Sequence, residues 1–454
     1  MTYQSKLEKL EQKKAACQKS SPARERITAL FDEGTFVELD AFVANGDDGV
    51  GVITGYGSIE GDVVYAFSQD ITTVGGAVSK AHADKIAKVY DLAVKNGAPV
   101  VAIFDSNGAK LTEGAEILAS YGKILSASSN LSGVVPQVSV VAGSCVGISA
   151  MMAAGSDIVV MAKDASLYFA DAQGDASAEA AMAAGVVDLI CEDAMEAVSR
   201  ARDIITMLPL NNLSESPVWE GTSASAPAAL DNTTEASELF AAVCDADSVL
   251  ELKAGYAENA ATALASIGGS TVGVVYANGK MGRKTNEKIA DFVRFCDCFN
   301  LPVVTFVNVD GFCTCGGVKT ESAKVAAKLA HAYADATAPK ITVYTGSAIG
   351  GAAVAFANAD IRLAWPTAVI SALAPETAVE FFWHEKLKGA EDVSKRRAEL
   401  AEEYAETEAS PYAAANASMV EDIVAPLNTR SVLISSLEML ASKRVSRLPK
   451  KHTN

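Results

Sequence analysis

Apolar residues recur along the chain with two different periods, and these periods predict alternating helices and strands. Residues 82–95 and 286–299 have the 3.6-residue period of an amphipathic helix. Short runs rich in β-branched residues follow at 99–104 and 302–307, as expected for buried strands. Strands that alternate with helices predict parallel βα units in an α/β fold, with both faces of each sheet covered.

The later elements are predicted in the same order in both halves of the chain. A loop containing glycine follows the first strand and leads into a second helix, at 322–337 in the second half. A buried strand, a glycine-rich turn, a helix of small residues and a last strand come next. These strands and the small-residue helix are expected at 137–142, 147–154 and 157–161, and again at 340–345, 350–357 and 360–364.

The two halves align with each other as copies of one fold. A shift of 203 residues superimposes them over about 75 positions without a gap. The identical pairs include Lys85 and Lys288, Pro99 and Pro302, Pro136 and Pro339, and Asp157 and Asp360. We therefore predict an N-terminal helix in residues 1–21, a domain at 22–210, a linker at 211–239 and a second copy of the domain at 240–445.

The composition narrows the class of protein. Half of the 454 residues are hydrophobic and 21% are charged, which excludes a disordered chain. The net charge is −18, and no segment of the sequence forms a basic stripe that could neutralise phosphates. Nucleic acid is therefore not an expected partner. The charged first residues do not resemble a secretory signal, and no apolar run reaches the roughly 18 residues of a membrane helix. Eight cysteines without a signal are typical of reduced thiols, so we expect a cytoplasmic protein.

A Gly-Ser-x-x-Gly motif opens the small-residue helix in both copies, at Gly143–Gly147 and Gly346–Gly350. The N-terminus of a helix presents unpaired N–H groups, and glycine lets an anion approach them closely. Two such motifs could supply two oxyanion holes. Close packing of a helix on a strand by small residues is the alternative explanation, and recurrence of the motif in register makes the two about equally favoured.

Cysteine chemistry offers two further hypotheses, and both are disfavoured. Cys145 imitates the nucleophile of an elbow motif, but the second copy has Ala348 there and none of the four histidines is placed as its base. A zinc site could combine Cys296 and Cys298 with the two cysteines at 313 and 315. Its first pair has one intervening residue instead of the usual two to four, so no metal is predicted.

Several segments resemble the carboxyltransferase subunits of biotin-dependent acyl-CoA carboxylases and sodium-pumping acyl-CoA decarboxylases. The resemblance covers nearly the whole chain. It is carried by PARERI at 22–27, YAFSQD at 65–70, HADKI at 82–86, GAKLTEG at 108–114, FVRFCD at 292–297, GGA at 350–352, WPTA at 365–368 and PYAA at 411–414.

The resemblance implies two tandem crotonase-like domains, each a ββα superhelix. The N-terminal domain of the family holds the acyl-CoA and the C-terminal domain holds biotin, at a site formed by domains of different subunits. The matching residues fall into four groups, which are Gly147 and Ile148 as donors to the thioester enolate, Gly351 and Ala352 as donors to biotin, Gly108, Ala109, Lys110 and Val146 as acyl-CoA contacts, and Gly311, Phe312 and Gly350 as biotin contacts.

The resemblance also implies the partners. The chain carries no Met-Lys-Met biotinylation motif, so biotin is expected on a separate carrier protein, the biotin carboxyl carrier protein. A biotin carboxylase subunit or a membrane decarboxylase subunit would complete the enzyme, and the latter would bring it to the inner membrane. A homo-oligomer, in the family a hexamer, is expected. A biotin-independent crotonase-type enzyme and a catalytically silent scaffold copy stay open as alternatives.

This sequence departs from the family pattern in loops that surround both expected ligands. Ile148 stands where the family has glycine, and Lys110 stands where it has arginine. The segment that begins at Gly311 is shortened, and the loop at 369–375 lacks the usual Glu and Gly. The identity of the acyl group and the direction of the reaction are therefore left open.

Overall fold

Two β-sheets organise the chain, one in each of two units, Met1–Glu215 (unit 1) and Ser216–Asn454 (unit 2). The structure is a computed structural model. It describes residues 3–44, 49–169, 174–224, 230–231, 234–313 and 319–445, with the backbone alone at 319–322.

Unit 1 contains eight strands and seven helices within its described residues. The strands are β1 (Val37–Leu39), β2 (Val52–Ile59), β3 (Asp62–Gln69), β4 (Val100–Ser106), β5 (Gln137–Val146), β6 (Ile158–Ala162), β7 (Ser166–Tyr168) and β8 (Leu189–Cys191). The helices are α1 (Tyr3–Cys17), α2 (Pro22–Leu30), α3 (Lys80–Asn96), α4 (Glu116–Leu131), α5 (Ile148–Ala154), α6 (Ala178–Ala183) and α7 (Ala194–Met207).

Unit 2 adds eight strands and nine helices within its described residues. The strands are β9 (Leu250–Leu252), β10 (Ala260–Ile267), β11 (Ser270–Met281), β12 (Val303–Phe312), β13 (Lys340–Ile349), β14 (Ile361–Ala364), β15 (Val369–Ser371) and β16 (Asp422–Ile423). The helices are α8 (Ala236–Val243), α9 (Arg283–Cys298), α10 (Lys319–Asp335), α11 (Gly350–Phe356), α12 (Pro375–Phe382), α13 (His384–Leu387), α14 (Val393–Glu406), α15 (Pro411–Asn416) and α16 (Thr429–Leu440).

The two sheets have the same topology. The order in unit 1 is β1-β2-β3-β4-β5-β6-β8, with β7 beside the end of β5. The order in unit 2 is β9-β10-β11-β12-β13-β14-β16, with β15 beside the end of β13. Strands β1 to β3 pair antiparallel and β3 to β6 pair parallel, and unit 2 repeats both patterns. The predicted α/β class with parallel βα units is confirmed.

The shared register extends to single hydrogen bonds. The N–H of Gln137 donates to the Asp157 carboxylate at 2.8 Å, and the N–H of Lys340 donates to Asp360 at the same distance. These positions lie 203 residues apart, as the alignment of the two halves requires. The aspartates therefore recur because each fixes the start of a central parallel strand.

Helices cover the sheets through faces that the periodicity predicted. Ser79 accepts the His82 N–H at the start of α3, and Gly97 ends that helix in the left-handed region at φ +62°. The buried face of α3 packs on the sheet, where Phe67 meets Tyr90 and Phe104 edge-on at ring distances of 5.9 and 5.6 Å. In the described part of the chain, no helix combines the length and the apolar character needed to cross a membrane.

One local prediction is wrong. The segment Gly143–Gly147 was expected to be a turn, but β5 continues to Val146 and pairs with β7, so Gly147 alone turns the chain into α5. A break in register beside β4 between Phe104 and Ser106 makes room for the extension. The same extension occurs in β13, which continues to Ile349.

Candidate active site

The ends of two neighbouring parallel strands approach each other in each unit. Gly108, just after β4, lies beside Val146 at the end of β5, where a Cβ on the glycine would be 3.6 Å from the Val146 carbonyl oxygen. Gly311 lies beside Ile349 in the same way, at 3.9 Å. Their φ angles of +96° and +102° favour glycine. The structure thus brings Gly108 and Val146, two predicted acyl-CoA contacts, together.

The turn into the small-residue helix also has the same shape in both units. Gly147 and Gly350 have φ angles of +63° and +62°. The carbonyl of Gly147 accepts the Ala150 N–H at 3.1 Å, which closes the first turn of α5. A side chain at either position would be strained, so the glycines are required by the backbone itself.

The hydrogen bond of Gly147 changes the expected pair of donors. Its N–H donates to the Tyr168 carbonyl at 2.9 Å, because β7 runs beside the end of β5. Gly147 is therefore engaged in the sheet, and its expected role as an anion donor does not fit this arrangement. Ile148 and Ser149 lie in the first turn of α5, where a helix offers no internal acceptor. They are 203 residues before Gly351 and Ala352, so the two units present equivalent amides.

The predicted acyl-CoA loop is held by backbone bonds to a preceding segment. Val78 donates to the Gly108 carbonyl at 2.8 Å and accepts the Lys110 N–H at 2.9 Å, with Ala109 paired between them. The Ser106 hydroxyl donates to the Gly76 carbonyl at 2.7 Å. Lys110 then begins a short 3₁₀ turn at the half-buried edge of the loop. Lys110 is therefore a half-buried residue at the end of this loop, two residues after Gly108.

On the unit 2 side, Phe312 lies against the first turn of α11. A Cβ on Gly351 would be 3.2 Å from Cε2 of the Phe312 ring. The predicted biotin contacts Phe312 and Gly351 are therefore neighbours, and Gly350 and Gly311 both border Ile349. Residues 314–318 of the shortened loop lie outside the described residues.

Beneath the motif of unit 1 lies a carboxylate that the sequence analysis did not single out. The Asp105 carboxylate accepts the Ser144 N–H at 3.2 Å and a hydrogen bond from Arg26 at 2.6 Å. In unit 2, Asn308 accepts the Ser347 N–H at 2.8 Å. Asp105 and Asn308 are 203 residues apart, so a polar residue near the end of each buried strand was the signal that could have revealed them.

The structure gives no support to a thiol nucleophile. The Cys145 side chain is fully buried, and burial raises the pKa of its thiol, so the thiol stays protonated. Burial lowers the pKa of His82 to about 3, and the described hydrogen bond of its ring is to Gln69. The structure therefore does not pair His82 with Cys145 as a general base.

The hypothesis of a zinc site falls partly outside the described residues, because residue 315 is not described. Cys296 is buried and burial raises the pKa of its thiol, while Cys298 is half-buried. Among the residues that the structure does describe, no three cysteine, histidine or acidic side chains come together as metal ligands.

Two sheets of identical topology, each with a glycine turn that leads into a helix of small residues, define a protein built from a duplicated α/β domain. The sequence profile of the family described as "Carboxyl transferase domain" matches residues 18–454. The chain belongs to this family, and the predicted resemblance is confirmed.

Curated relatives agree over nearly the whole length. The chain is 36% identical to the methylmalonyl-CoA decarboxylase subunit alpha of Veillonella parvula, over 95% of this chain and 92% of the relative. It is also 36% identical to the propionyl-CoA carboxylase beta chain of Saccharopolyspora erythraea, over 95% of this chain and 90% of the relative. The prediction of a biotin-dependent acyl-CoA carboxyltransferase is confirmed at this level.

A solved structure agrees as well. The transcarboxylase 12S hexamer with methylmalonyl-CoA and methylmalonic acid bound superimposes with a TM-score of 0.92 at 34% identity. The match covers 100% of this chain and 98% of the other. It confirms the predicted fold of two tandem crotonase-like domains.

Proposed function

We propose that the protein exchanges a carboxyl group between methylmalonyl-CoA, or a carboxyacyl-CoA of similar size, and biotin on a separate carrier protein. One observation carries the choice of substrate. The decarboxylase, carboxylase and transcarboxylase relatives are named for methylmalonyl-CoA or propionyl-CoA, although their reactions differ. The element that these names share is the acyl-CoA, and the assignment of the substrate follows from it.

Unit 1 is proposed to hold the thioester. Loss of the carboxyl group breaks its bond to Cα, and the electron pair moves onto the thioester oxygen as an enolate. The N–H groups of Ile148 and Ser149 then stabilise that oxygen, in place of the expected pair that began at Gly147. Gly108, Ala109, Lys110 and Val146 border the same strand ends and are proposed to bind the CoA ester.

Unit 2 is proposed to hold biotin. When bound, biotin supplies the ring nitrogen that exchanges its proton for the carboxyl group, and Cα receives that proton. Gly351 has no side chain, and the Phe312 ring lies beside it. A backbone N–H next to an aromatic ring fits a neutral ring that carries a polar oxygen. The N–H groups of Gly351 and Ala352 would hold that oxygen, with Gly311, Phe312 and Gly350 around it.

The direct test is transfer of label from methylmalonyl-CoA that carries ¹⁴C in its free carboxyl group. The purified protein is incubated with this ester and biocytin, and labelled biocytin is counted, with malonyl-CoA and glutaconyl-CoA compared under the same conditions. We expect transfer with methylmalonyl-CoA to be the fastest. Release of free CoA without any labelled biocytin would contradict the proposal and favour a biotin-independent thioesterase.

A sodium-pumping decarboxylase is the second candidate, and it is favoured by relatives named as methylmalonyl-CoA decarboxylase alpha subunits, such as that of Veillonella parvula. In that case the protein works in the direction of decarboxylation with a membrane subunit. Purification from the native cell in mild detergent distinguishes the two. A co-purifying membrane subunit and sodium-dependent activity favour the decarboxylase, whereas a co-purifying biotin carboxylase favours carboxylation.

We also propose that the protein is a hexamer, as the transcarboxylase 12S relative is. Closed symmetry is the usual arrangement of soluble homo-oligomers. Light scattering of the purified protein measures the mass directly. We expect six times the 47.1 kDa of the chain, and an active particle of one chain would contradict the proposal.

A further inference from the structure

A buried ion pair lies directly under the acyl-CoA side of unit 1. Nη1 of Arg26, on α2, donates to Oδ2 of Asp105 near the end of β4 at 2.6 Å. The side chains are 13% and 7% exposed, so both charges are largely removed from water. A buried carboxylate is costly without a partner, and the guanidinium supplies one.

The second oxygen of this carboxylate holds the strand that leads into the proposed oxyanion hole. Oδ1 of Asp105 accepts the Ser144 N–H at 3.2 Å. Arg26 also donates to the Ala142 carbonyl at 3.4 Å. A Cβ on Gly143 would lie 2.3 Å from the same carboxylate oxygen, so only glycine lets the strand come this close. The ion pair therefore holds residues 142–144 in place through hydrogen bonds, just before the turn at Gly147.

The backbone N–H of Asp105 is hydrogen-bonded as well. Its N–H donates to Oε1 of Gln69 at 3.3 Å, and the Gln69 amide nitrogen lies 3.4 Å from Nε2 of His82. Gln69 and His82 are both fully buried. Burial lowers the pKa of His82 to about 3, so the imidazole is neutral and adds no charge to the network.

Unit 2 uses different chemistry at the equivalent position. Oδ1 of Asn308 accepts the Ser347 N–H at 2.8 Å, and its amide nitrogen donates to Asn278 at 3.1 Å. A neutral pair of amides thus replaces the ion pair. Within the described residues, the carboxylate that accepts this N–H belongs to the unit to which we assign the developing enolate, and the equivalent position of the other unit is the neutral Asn308.

We propose that Asp105, paired with Arg26, is a positioning residue that sets the placement of the Ile148 and Ser149 amides toward the thioester oxygen. This rests on the proposed function, in which unit 1 holds the acyl-CoA. The bond from the Ser144 N–H to a carboxylate is charge-assisted and so holds the strand more firmly than a neutral bond does. Donors that are displaced lose more stabilisation of the enolate than of the less polar ground state, so kcat should respond more than KM.

The test is the methylmalonyl-CoA to biocytin transfer with Asp105→Asn, Arg26→Met and the double variant. Asp105→Asn keeps an acceptor for the Ser144 N–H but removes the charge and leaves Arg26 unpaired. We expect kcat to fall by on the order of 10²-fold, with KM for methylmalonyl-CoA changed by about threefold or less. The double variant removes both charges and leaves a neutral asparagine as the acceptor for the Ser144 N–H, as Asn308 is for Ser347, and it should recover at least about tenfold of that loss.

Asp188→Asn is the matched control. Asp188 is also a buried aspartate of unit 1 that accepts a backbone N–H, from Val159 at 2.8 Å, but it lies away from the turn. The Asp188→Asn variant should have a lower thermal midpoint than wild type, and its kcat should fall by no more than about twofold. If Asp105→Asn does not fold, the double variant is compared with this control in the same way.

The outcomes separate the two levels of the assignment. An active wild type in which Asp105→Asn and Asp188→Asn lose kcat equally overturns the positioning role and leaves the proposed function intact. A wild type that transfers no label overturns the proposed function and this role together. A selective loss of kcat in Asp105→Asn, with recovery in the double variant, supports the positioning role.

Discussion

The two halves of this chain share their backbone and differ in the side chains that surround it. Both sheets have the same strand order, and both helix turns begin with a glycine near φ +63°. Unit 1 places an ion pair under the turn, whereas unit 2 places two asparagines there. What duplication has preserved is thus the direction of the backbone amides, while the side chains have diverged.

Two positions at the site show this divergence as an exchange of size. Unit 1 has Ala109 after β4 and Ile148 at the start of α5. At the equivalent positions, 203 residues later, unit 2 has Phe312 and Gly351. Each unit therefore combines one large and one small residue, in opposite order. The exchange keeps the volume similar, but the large side chain is at the start of the helix in unit 1 and at the end of the strand in unit 2.

The largest expected effect comes from undoing this exchange in unit 2. Gly351→Ile places a β-branched side chain where a Cβ would already lie 3.2 Å from the Phe312 ring. The Phe312 ring and the first turn of α11 must move apart, and misplacing one oxyanion donor costs about 10²- to 10³-fold in kcat. Transfer from methylmalonyl-CoA to biocytin measures the loss, and circular dichroism checks the fold.

A double variant sharpens this prediction. Adding Phe312→Ala to Gly351→Ile copies the residues of unit 1 and removes the contact. We expect kcat to recover by about tenfold or more over the single variant, since the two changes share one contact. If kcat does not recover at all, the isoleucine acts on the bound ligand and the argument from packing is wrong.

A smaller effect is expected from the aspartates at the strand starts, of which Asp157 is half-buried and Asp360 is exposed. Burial, followed by the nearby Asp188, raises the pKa of Asp157 from 3.8 to about 7. The equivalent Asp360 of unit 2 instead forms an ion pair with Lys443 at 2.8 Å. Because the folded state of unit 1 binds the Asp157 proton more tightly, its contribution to stability is present below about pH 4 and is lost as the pH rises to about 7.

Asp157→Asn tests this difference. The asparagine still accepts the Gln137 N–H but cannot ionise. We expect a free energy of unfolding close to wild type below about pH 4 and higher by about 1 kcal/mol or more at pH 8, because one pKa unit corresponds to about 1.4 kcal/mol. Urea unfolding at the two pH values measures it. A gain that is equal at both pH values would show that ionisation of Asp157 is not the cause.

The smallest effect is expected at Cys145. Its fully buried thiol has a raised pKa, and unit 2 has Ala348 at the equivalent position. Cys145→Ala should therefore leave kcat within about tenfold of wild type and lower stability by about 1–2 kcal/mol through lost packing. A folded but inactive variant in the transfer assay would instead require a thiol mechanism.

The sequence predicted the repeated architecture because that architecture depends on local patterns. The period of 82–95 and the β-branched run at 99–104 agree with α3 and β4 of the structure, whereas the glycine turn predicted at 143–147 is confined to Gly147. Gly108 and Gly147 could be selected because their backbone angles exclude other residues. Such constraints act within a few residues, so the local sequence is sufficient to predict them.

The sequence could not predict which amides are available or what holds them. The bond between Gly147 and Tyr168 depends on the pairing of β7 with β5, which is a tertiary contact. The ion pair joins Arg26 and Asp105 across 79 positions. Neither contact follows from spacing, since nothing local relates the two partners.

The central claim is that unit 1 binds the acyl-CoA and unit 2 binds biotin, and one pair of variants tests it most directly. Lys110→Ala removes a cation at the unit 1 loop, and Phe312→Ala removes the ring beside Gly351. KM for methylmalonyl-CoA and for biocytin are measured for both proteins in the transfer assay.

We expect Lys110→Ala to raise KM for methylmalonyl-CoA by about tenfold with KM for biocytin unchanged, because a lysine proposed to bind CoA can supply a positive charge to its phosphates and the loss of that charge weakens uniform binding. Phe312→Ala should do the reverse. If both variants raise KM for the same substrate, or if each raises KM for the substrate assigned to the other unit, the proposed division between the two halves is contradicted.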